Sequence, residues 1–289
     1  MKISAYTLNS FAKTKEGGNP AGVVINADAL SEEEMRKIAA ALGYSETAFV
    51  LQSDVADFKV RFFTPNDEVD LCGHATIATF HAMSELRLLK PGAYKQETRA
   101  GILGIELQND HFVMMDQALP AFSEMPDKTE LADSLHISAS QMEEDLTAQV
   151  VSTGLRDIMV PVKSIEILDA IRPDMKKIEE ISRKYNTVGY HVFSLQSLYG
   201  AVAYCRNFAP LYGIPEEAGT GTSSGALACY LYHYGIINDE QAQHLIFEQG
   251  YAMNRPSEIR ASLAVKDNCI CGVKVGGSAM DLTLAEVEI

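Results

Sequence analysis

Two glycine-rich loops, each followed by an apolar helical pattern, are the segments of this sequence best suited to chemistry. The first covers residues 70–75 (DLCGHA) and the second covers residues 219–225 (GTGTSSG). A loop that opens a helix presents unpaired backbone N–H groups at the positive end of the helix dipole, which favours a bound anion. Facing each other, two such loops would bracket a small carboxylate, whereas one loop alone is better explained as a helix cap.

Two side chains near the first loop could move protons. His74 lies in the first turn of the predicted helix, where the positive end of the dipole disfavours an imidazolium, so we expect a neutral ring that donates or relays a proton. Glu46 opens an apolar strand, and partial burial there would raise the pKa of its carboxyl group towards that of a useful base. The structural alternatives are a capping or core histidine and an ordinary polar residue at a strand end.

The composition is that of a soluble globular protein and excludes several classes of partner. The chain has 289 residues, of which 22% are charged and 47% apolar, and its 24 basic and 39 acidic residues give a formal net charge of −15. A nucleic acid or an anionic membrane surface needs a positive patch, and no cluster of Lys and Arg is present. Because the sequence also shows no charged leader and no long apolar run, we expect a cytoplasmic protein without membrane contact.

We also expect no metal, nucleotide or nicotinamide cofactor. The five cysteines are an odd number, and Cys269 and Cys271 are separated by one residue where zinc and redox pairs usually have two. A phosphate-binding P-loop needs Lys and then Ser or Thr after its last glycine, whereas Ala226 follows Gly225. The cysteines are therefore interpreted as free thiols.

The two loops belong to two similar halves of the chain. Gly221 follows Gly73 by 148 positions and Gly250 follows Gly101 by 149, so two separate landmarks give nearly the same offset. An offset of 146 would align Gly73 with Gly219 instead. The repeat indicates a duplication of about half the chain, with the register inside the loop left open.

Alternation of polar and apolar residues predicts that most of the chain is β-sheet. The expected strands cover residues 2–8, 47–52, 58–62, 102–107, 111–116, 190–195, 201–206 and 259–265. Ser31 and Glu34 form a capping box that opens a helix ending near Gly43, and Pro173 at a first helical position opens another helix to about Tyr185.

Two further helices, at residues 75–83 and 226–234, are apolar on nearly all sides and should be buried inside a wrap of strands. The predicted fold class is therefore α+β, with two similar duplicated domains that each wrap a mostly antiparallel sheet around a central helix, and a cleft between them. We place the first domain at residues 1–118 and the second at residues 119–279. A final strand at residues 280–289 is expected to return to the first domain.

Several motifs occur in order along nearly the whole chain: GNPAGV at 18–23, SETAF at 45–49, FTP at 63–65, DLCGHAT at 70–76, GTG at 219–221, QGYAMNRPS at 249–257 and VGGSA at 275–279. Together they resemble the phenazine-biosynthesis PhzF-like isomerase family. The resemblance implies the diaminopimelate-epimerase-like fold, usually as a homodimer, with the site between the two halves. It also implies cofactor-free proton transfer, in which the glutamate matching Glu46 moves a hydrogen along a carbon skeleton, assisted by the residue matching His74 and by an acidic residue of the second loop.

By order along the family's motif, the assisting acidic residue is Glu217. The corresponding substrate-binding residues are Asn19, Gly73, Gly219, Thr220, Gly221 and Thr222. The family's best-studied activity, isomerisation of a dihydro-hydroxyanthranilate, goes with an Asp-Pro pair and a Ser in the second loop, where this chain has Glu217-Ala218 and Thr222. The extra methylene of Glu217 moves its carboxylate and alters which substrate group it can bind. The reaction type is therefore a firmer expectation than the substrate.

Cys72 has no partner thiol in the second loop. A two-thiol racemase would need a cysteine there, and Ala218 and Thr222 stand in the loop instead, so Cys72 is interpreted as structural. We expect an isomerase that moves a proton on a small amino or hydroxy carboxylic acid, with Glu46 as base and then as acid. The alternatives are an epimerase or lyase that acts beside a carboxylate, and a metabolite-binding protein without turnover.

Overall fold

The computed structural model describes residues 1–289 and has the predicted α+β class. It contains six α-helices and eighteen β-strands. Contacts divide the chain into two compact units, the first made of residues 1–116 and 276–289 and the second of residues 117–275. None of the helices combines the length and the hydrophobicity that spanning a membrane requires.

The helices and strands are numbered in chain order. The helices are α1 Glu32–Leu42, α2 Gly73–Glu85, α3 Lys128–Ser134, α4 Ile165–Ala170, α5 Met175–Tyr185 and α6 Gly221–His233. The strands are β1 Lys2–Ser10, β2 Asn19–Val24, β3 Thr47–Leu51, β4 Phe58–Phe63, β5 Glu68–Val69, β6 Gly92–Thr98, β7 Gly101–Leu107, β8 Val113–Gln117, β9 Ala121–Phe122, β10 Gln149–Ser152, β11 Arg156–Pro161, β12 Gly189–Ser194, β13 Ala203–Ala209, β14 Ile214–Glu217, β15 Leu245–Gln249, β16 Ser257–Lys266, β17 Cys269–Gly277 and β18 Ala279–Glu288.

The first unit wraps its strands around α2. Strand β1 pairs antiparallel with both β18 and β2, and β2 runs parallel to β3. Strand β3 pairs antiparallel with β4, which pairs antiparallel with β5 and parallel with β6. Strand β6 then pairs antiparallel with β7. Helix α2 packs against β1, β2, β3 and β18, and every residue from His74 to Ser84 is buried. Helix α1 covers the other face of the sheet, where Met35 and Ile38 pack with Phe49 and Phe63.

The second unit repeats this pattern around α6. Strand β10 pairs antiparallel with β11, which runs parallel to β12. Strand β12 pairs antiparallel with β13, which pairs antiparallel with β14 and parallel with β15. Strand β15 then pairs antiparallel with β16. This is the order of parallel and antiparallel pairs from β1 to β7. Helix α6 packs against β10, β11 and β16. Two similar halves, each with a buried central helix, confirm the predicted architecture.

The two central helices settle the register of the duplication. Both α2 and α6 have thirteen residues, and their first residues, Gly73 and Gly221, are 148 positions apart. Their ends correspond as well, because the N–H groups of Leu86 and Tyr234 both bond back to carbonyls of the last helical turn. The offset inside the loop is therefore 148, and Gly73 matches Gly221 rather than Gly219.

A partly buried ion pair is also repeated. The Arg61 guanidinium donates two hydrogen bonds to Glu68, at 2.8 and 2.6 Å, and Arg206 donates two to Glu216, both at 2.8 Å. In each unit the pair ties the strand before the central helix to the short strand that leads into the helix. Paired guanidinium–carboxylate contacts of this kind fix geometry as well as charge.

Local capping signals predicted helix ends well where the cap is in the sequence itself. Helix α1 has Ser31 and Glu34 in a complete capping box and Gly43 in the left-handed conformation at its C-terminal end, as expected. Helix α5 differs, because Asp174 is its N-cap and accepts a hydrogen bond from the Lys177 N–H group. The expectation that Pro173 occupies the first helical position is therefore wrong.

Candidate active site

Glu46 is placed by the junction of two parallel strands in the first unit. It immediately precedes β3, and its carbonyl accepts a hydrogen bond from the Gly22 N–H group of β2 at 3.2 Å. The backbone is thus tied down on one side, and only 15% of the Glu46 side chain is exposed. A carboxylate held in this way is shielded from bulk water but is still open on one side.

His74 and Cys72 are placed by the start of α2. Cys72 is the N-cap and Gly73 the first helical residue, so His74 is the second residue of the helix. The Cys72 carbonyl accepts hydrogen bonds from the backbone and hydroxyl groups of Thr76, and the His74 carbonyl accepts one from Ser10 Oγ at 2.6 Å. The glycine-rich loop therefore works as a rigid mount for two reactive side chains.

Glu46, Cys72 and His74 meet in one cluster. The distance from His74 Nε2 to Glu46 Oε2 is 3.2 Å, and the Cys72 Sγ atom lies 3.5 Å from His74 Nδ1. Ser45 Oγ lies 3.4 Å from His74 Nε2. Glu46 Oε2 is buried and accepts no hydrogen bond of good geometry, although the histidine is at ion-pair distance. One carboxylate oxygen thus keeps its accepting capacity.

The cluster reverses both pKa directions that the sequence suggested. Burial raises the pKa of Glu46, but the hydrogen-bonding contact and charge of His74, with smaller contributions from Ser45 and Cys72, outweigh it, and the pKa is lowered. Burial lowers the pKa of His74, but Cys72 and Glu46 outweigh it, and the pKa is raised well above its usual value. The expectations of a raised Glu46 pKa and a neutral His74 are therefore wrong.

The thiol of Cys72 stays protonated in this arrangement. Burial, and secondly the charge of Glu46, raise its pKa above the ordinary value. A neutral thiol cannot hold a proton on the imidazole by charge, so we attribute the raised His74 pKa to the Glu46 carboxylate. The cluster is thus an ion pair between an ionised glutamate and a protonated histidine, with a thiol beside it.

Asn19, the remaining predicted binding residue of the first unit, begins β2. It is buried and lies opposite Ser10 of β1 in the antiparallel pair. Since Ser10 also holds the His74 carbonyl, Asn19 and the start of α2 are positioned by the same strand. Ser10 and Ser45 have positioning contacts that the sequence analysis missed; Ser45 could have been noticed because it directly precedes Glu46 in a motif.

In the second unit, Glu217 and Thr220 are joined through Gln249. Thr220 Oγ1 donates to Glu217 Oε2 at 2.7 Å, while Gln249 Nε2 donates to Thr220 Oγ1 at 3.0 Å and to the Glu217 carbonyl at 2.8 Å. Gln249 Oε1 accepts from the Thr220 N–H group at 3.1 Å. Gln249 is fully buried. The sequence analysis placed Gln249 in a motif without assigning it this clamping role.

The remaining residues of the second loop lie at the start of α6. Gly219 and Gly221 are buried, and Thr222 is the second residue of the helix. Thr153 Oγ1 donates to the Thr222 carbonyl at 3.1 Å, as Ser10 does to His74 in the first unit. The loop is therefore as firmly mounted as its counterpart, but its side chains are hydroxyls.

One turn of α6 is also anchored from behind by a buried carboxyl group. Ser223 Oγ donates to Asp157 of β11, and both residues are almost fully buried. Burial raises the pKa of Asp157, only partly offset by the hydrogen bonds from Ser223 and from the backbone of Gly189. This carboxyl group serves the helix rather than an open site.

Comparisons with known proteins identify the family of this chain. A family model described as phenazine biosynthesis-like protein matches residues 8–284. The chain belongs to this family. An uncharacterized isomerase of Clostridium acetobutylicum is 35% identical to this PhzF-like protein, over 100% of this chain and 99% of the relative. A crystal structure of a phenazine biosynthesis protein of the PhzF family from Bacillus anthracis has a TM-score of 0.92 and 31% identity, and the match covers 100% of both chains.

A relative with a named substrate is more distant. The trans-2,3-dihydro-3-hydroxyanthranilate isomerase of Pseudomonas chlororaphis is 30% identical to the PhzF-like chain, over 94% of this chain and 95% of the relative. Several curated relatives carry the name isomerase. The protein is accordingly a PhzF-like isomerase. The homodimer that the resemblance implies stays a prediction.

Proposed function

We propose that the protein moves a proton between two carbon atoms of a small amino or hydroxy carboxylic acid, without a cofactor. The observation that carries the proposal is the buried contact of 3.2 Å between His74 Nε2 and Glu46 Oε2, an oxygen that accepts no aligned hydrogen bond, with the pKa of Glu46 lowered and that of His74 raised. A base must be ionised before it can take a proton, and Glu46 meets this requirement because its pKa is lowered.

In the proposed reaction the Glu46 carboxylate removes a proton from a substrate carbon, and the electron pair of that C–H bond shifts into the neighbouring unsaturated skeleton. The same carboxyl group then returns the proton to another carbon, where a new C–H bond forms. No electron leaves the substrate, so no redox partner is needed. The His74 imidazolium keeps Glu46 ionised at the start and balances the negative charge that develops on the substrate.

Roles for the second loop follow from the resemblance. Glu217, oriented by Thr220, is proposed to bind an amine or hydroxyl group of the substrate. The backbone at Gly73, Gly219 and Gly221 and the polar groups of Asn19, Thr220 and Thr222 are proposed to bind the substrate and its carboxylate. The N–H groups at the starts of α2 and α6 are suited to an anion.

One relative and one substitution in the second loop suggest which substrates to test. Trans-2,3-dihydro-3-hydroxyanthranilate, named for the Pseudomonas chlororaphis relative, is the first compound to test. Compounds that stay bound to the purified protein, identified by mass, are the second set of candidate substrates. Because Glu217-Ala218 replaces the family's Asp-Pro pair, a substrate with a different spacing between its carboxylate and its amine or hydroxyl group is compatible with the proposal.

The test is the Glu46→Gln variant on a compound that the wild type isomerises. Glutamine keeps the size of the side chain but cannot take the proton, so turnover should fall by roughly 10²-fold or more while substrate binding changes little. Glu85→Gln is the matched control, since Glu85 also lies beside a histidine, with Oε2 3.4 Å from His81 Nε2, but at the other end of α2. The control should turn over at the wild-type rate.

Deuterated water separates the proposal from its alternatives. A single shuttling carboxyl group should leave part of the substrate's own hydrogen in the product. Inversion at one carbon with full exchange of its hydrogen would identify an epimerase, and binding without turnover for every retained compound would identify a metabolite-binding protein. Near wild-type turnover by Glu46→Gln would contradict the mechanism and make His74 or Glu217 the next candidate for the base.

A further inference from the structure

The Glu46–Cys72–His74 cluster has a second chemical property besides proton transfer. It brings together a carboxylate oxygen, a sulfur and an imidazole nitrogen, with one such atom from each residue within 4.8 Å of the others. Cys72 and His74 are buried and Glu46 is only slightly exposed. Three different metal-ligating groups converging in a shielded position are not explained by helix capping or by packing.

Two of the distances in this cluster are close to those of a tetrahedral zinc site. With Zn–S near 2.3 Å and Zn–N and Zn–O near 2.0–2.2 Å, neighbouring ligand atoms in a tetrahedron are about 3.3–3.6 Å apart. His74 Nε2 lies 3.2 Å from Glu46 Oε2 and 3.8 Å from Cys72 Sγ. The ligand atoms of the third pair, Glu46 and Cys72, lie within 4.8 Å of each other, so these two side chains would move together by up to about an ångström to hold one ion between the three atoms.

The remaining contacts are consistent with a metal of this type. Ser45 Oγ lies 3.4 Å from His74 Nε2, on the more exposed side of the cluster, where a hydroxyl group, water or substrate oxygen could complete four ligands. Burial raises the pKa of the Cys72 thiol, and the Ala75 N–H group, which bonds to Cys72 Sγ at the start of α2, acts in the opposite direction and would stabilise a metal-bound thiolate. A thiolate with an imidazole selects zinc over magnesium or calcium, which prefer all-oxygen sites.

We propose that Glu46, Cys72 and His74 form a binding site for zinc(II), and that the bound ion blocks proton transfer. Cys72 would bind as the thiolate, with its proton released to water, and His74 as the neutral ring. The ion would occupy the Glu46 oxygen that the base uses. Zinc is therefore an inhibitor here and not a cofactor; the inhibition rests on the proposed function, whereas the binding does not.

Cobalt(II) is the probe for binding, because a thiolate ligand gives it a charge-transfer absorption in the near ultraviolet that oxygen and nitrogen ligands do not give. The experiment uses the full chain with Cys269→Ser and Cys271→Ser, since these two exposed thiols could bind metal on their own. We expect one equivalent of cobalt to produce the band and one equivalent of zinc to abolish it. Adding Cys72→Ser, which keeps a small polar side chain, should remove the band, with far-ultraviolet circular dichroism as the folding control.

His74→Gln is the second variant and should weaken cobalt binding at least tenfold, with the loss of one of three protein ligands. Absence of the band in the Cys269→Ser/Cys271→Ser protein, or its persistence after Cys72→Ser, would overturn the site. On a compound that the wild type isomerises, added zinc should stop turnover and a chelator should restore it. Cobalt binding at Cys72 without inhibition by zinc would overturn the blocking role and leave the metal site standing. Turnover by Glu46→Gln would refute the proposed base independently of both results.

Discussion

The starts of α2 and α6 share the same backbone arrangement but differ in their side chains, which are ionisable in α2 and hydroxyl-bearing in α6. With the 148-residue offset, Cys72 corresponds to Thr220 and His74 to Thr222. In both units, a hydroxyl from a neighbouring strand end binds the carbonyl of the second helical residue. Both copies therefore keep a helix start whose backbone N–H groups favour an anion. Only the first copy has ionisable side chains at these two positions.

The proposed base is also present in one copy only. Gly22 pairs with Thr47 where β2 meets β3, and Asp157 pairs with Gly189 where β11 meets β12, so the residue before the parallel strand is Glu46 in one unit and Val188 in the other. The two buried carboxyl groups that the second unit does have are both engaged: Asp157 accepts from Ser223, and Glu248 accepts from the N–H groups of Leu198 and Tyr199. A single base favours a proton that leaves and returns at the same carboxylate, as in an isomerase, over a racemase with two bases.

Matched substitutions at His74 and Thr222 should show the largest difference between the two loops. His74→Gln removes the imidazolium beside Glu46, and turnover of a confirmed substrate should fall by about 10²–10⁴-fold. Thr222→Val keeps the shape of the side chain and removes one hydroxyl, which should cost at most about tenfold, mainly in KM. Steady-state kinetics of both variants measure these losses. Equal losses in kcat would contradict the proposal that the acid–base residues lie only in the first unit.

The repeated arginine–glutamate pair should differ in its contribution to stability. Arg206→Met leaves the partly buried Glu216 without its partner and frees the Leu168 and Ile171 carbonyls, at a cost of about 3–5 kcal/mol. Arg61→Met should cost about 1–2 kcal/mol, because Glu68 keeps Arg99 at 3.3 Å.

Hydrogen exchange resolved to peptides of each unit measures these two costs separately. A double variant, Arg206→Met with Glu216→Leu, is the control and should recover much of the loss, since it removes the orphaned charge. A larger loss for Arg61→Met than for Arg206→Met would show that the exposed neighbours of Glu68 do not compensate.

The smallest expected effect is a pH dependence confined to the first unit. The lowered Glu46 pKa contributes stability that is present above its ordinary value of 4.5 and is lost as the pH falls through the native value. The raised His74 pKa contributes stability that is present below 6.5 and is lost as the pH rises through the native value. The stability difference between wild type and Glu46→Gln should therefore peak between about pH 4.5 and 6.5.

Denaturant unfolding of both proteins from pH 4 to 9 tests this dependence. Val188→Ala, at the matching position of the second unit, should shift stability equally at every pH because it removes no charge. A difference for Glu46→Gln that keeps growing towards alkaline pH would mean that His74 is not the partner of Glu46.

Sequence reasoning succeeded where the decisive signal is local. Ser31 with Glu34, and Gly43 twelve residues after Ser31, define α1 through contacts made within a few residues. The apolar surface of α2 and α6 was enough to predict their burial. The expectation of alternating polar and apolar residues missed strand β11. There Ile158, Met159 and Val160 form a continuous apolar run, as is typical of a strand buried on both faces.

The candidate site shows the same division. Glu46 and His74 could be singled out from the sequence, but their protonation could not, because it depends on a contact between residues 28 positions apart. The dipole of α2 disfavours an imidazolium at His74, but the carboxylate of Glu46, just before β3, outweighs it. Gln249 could not be given its role for the same reason, since its partners Glu217 and Thr220 lie about thirty residues earlier.

Strand β18 has a consequence for how this protein is made. It pairs with β1 from Lys2↔Glu288 onwards, so the first unit contains both ends of the chain, while the second unit is one continuous segment. During synthesis the whole second unit is translated before the ten-residue strand β18. Glu46 and His74, although translated early, therefore belong to a half whose sheet is finished only when β18, translated after the second unit, pairs with β1.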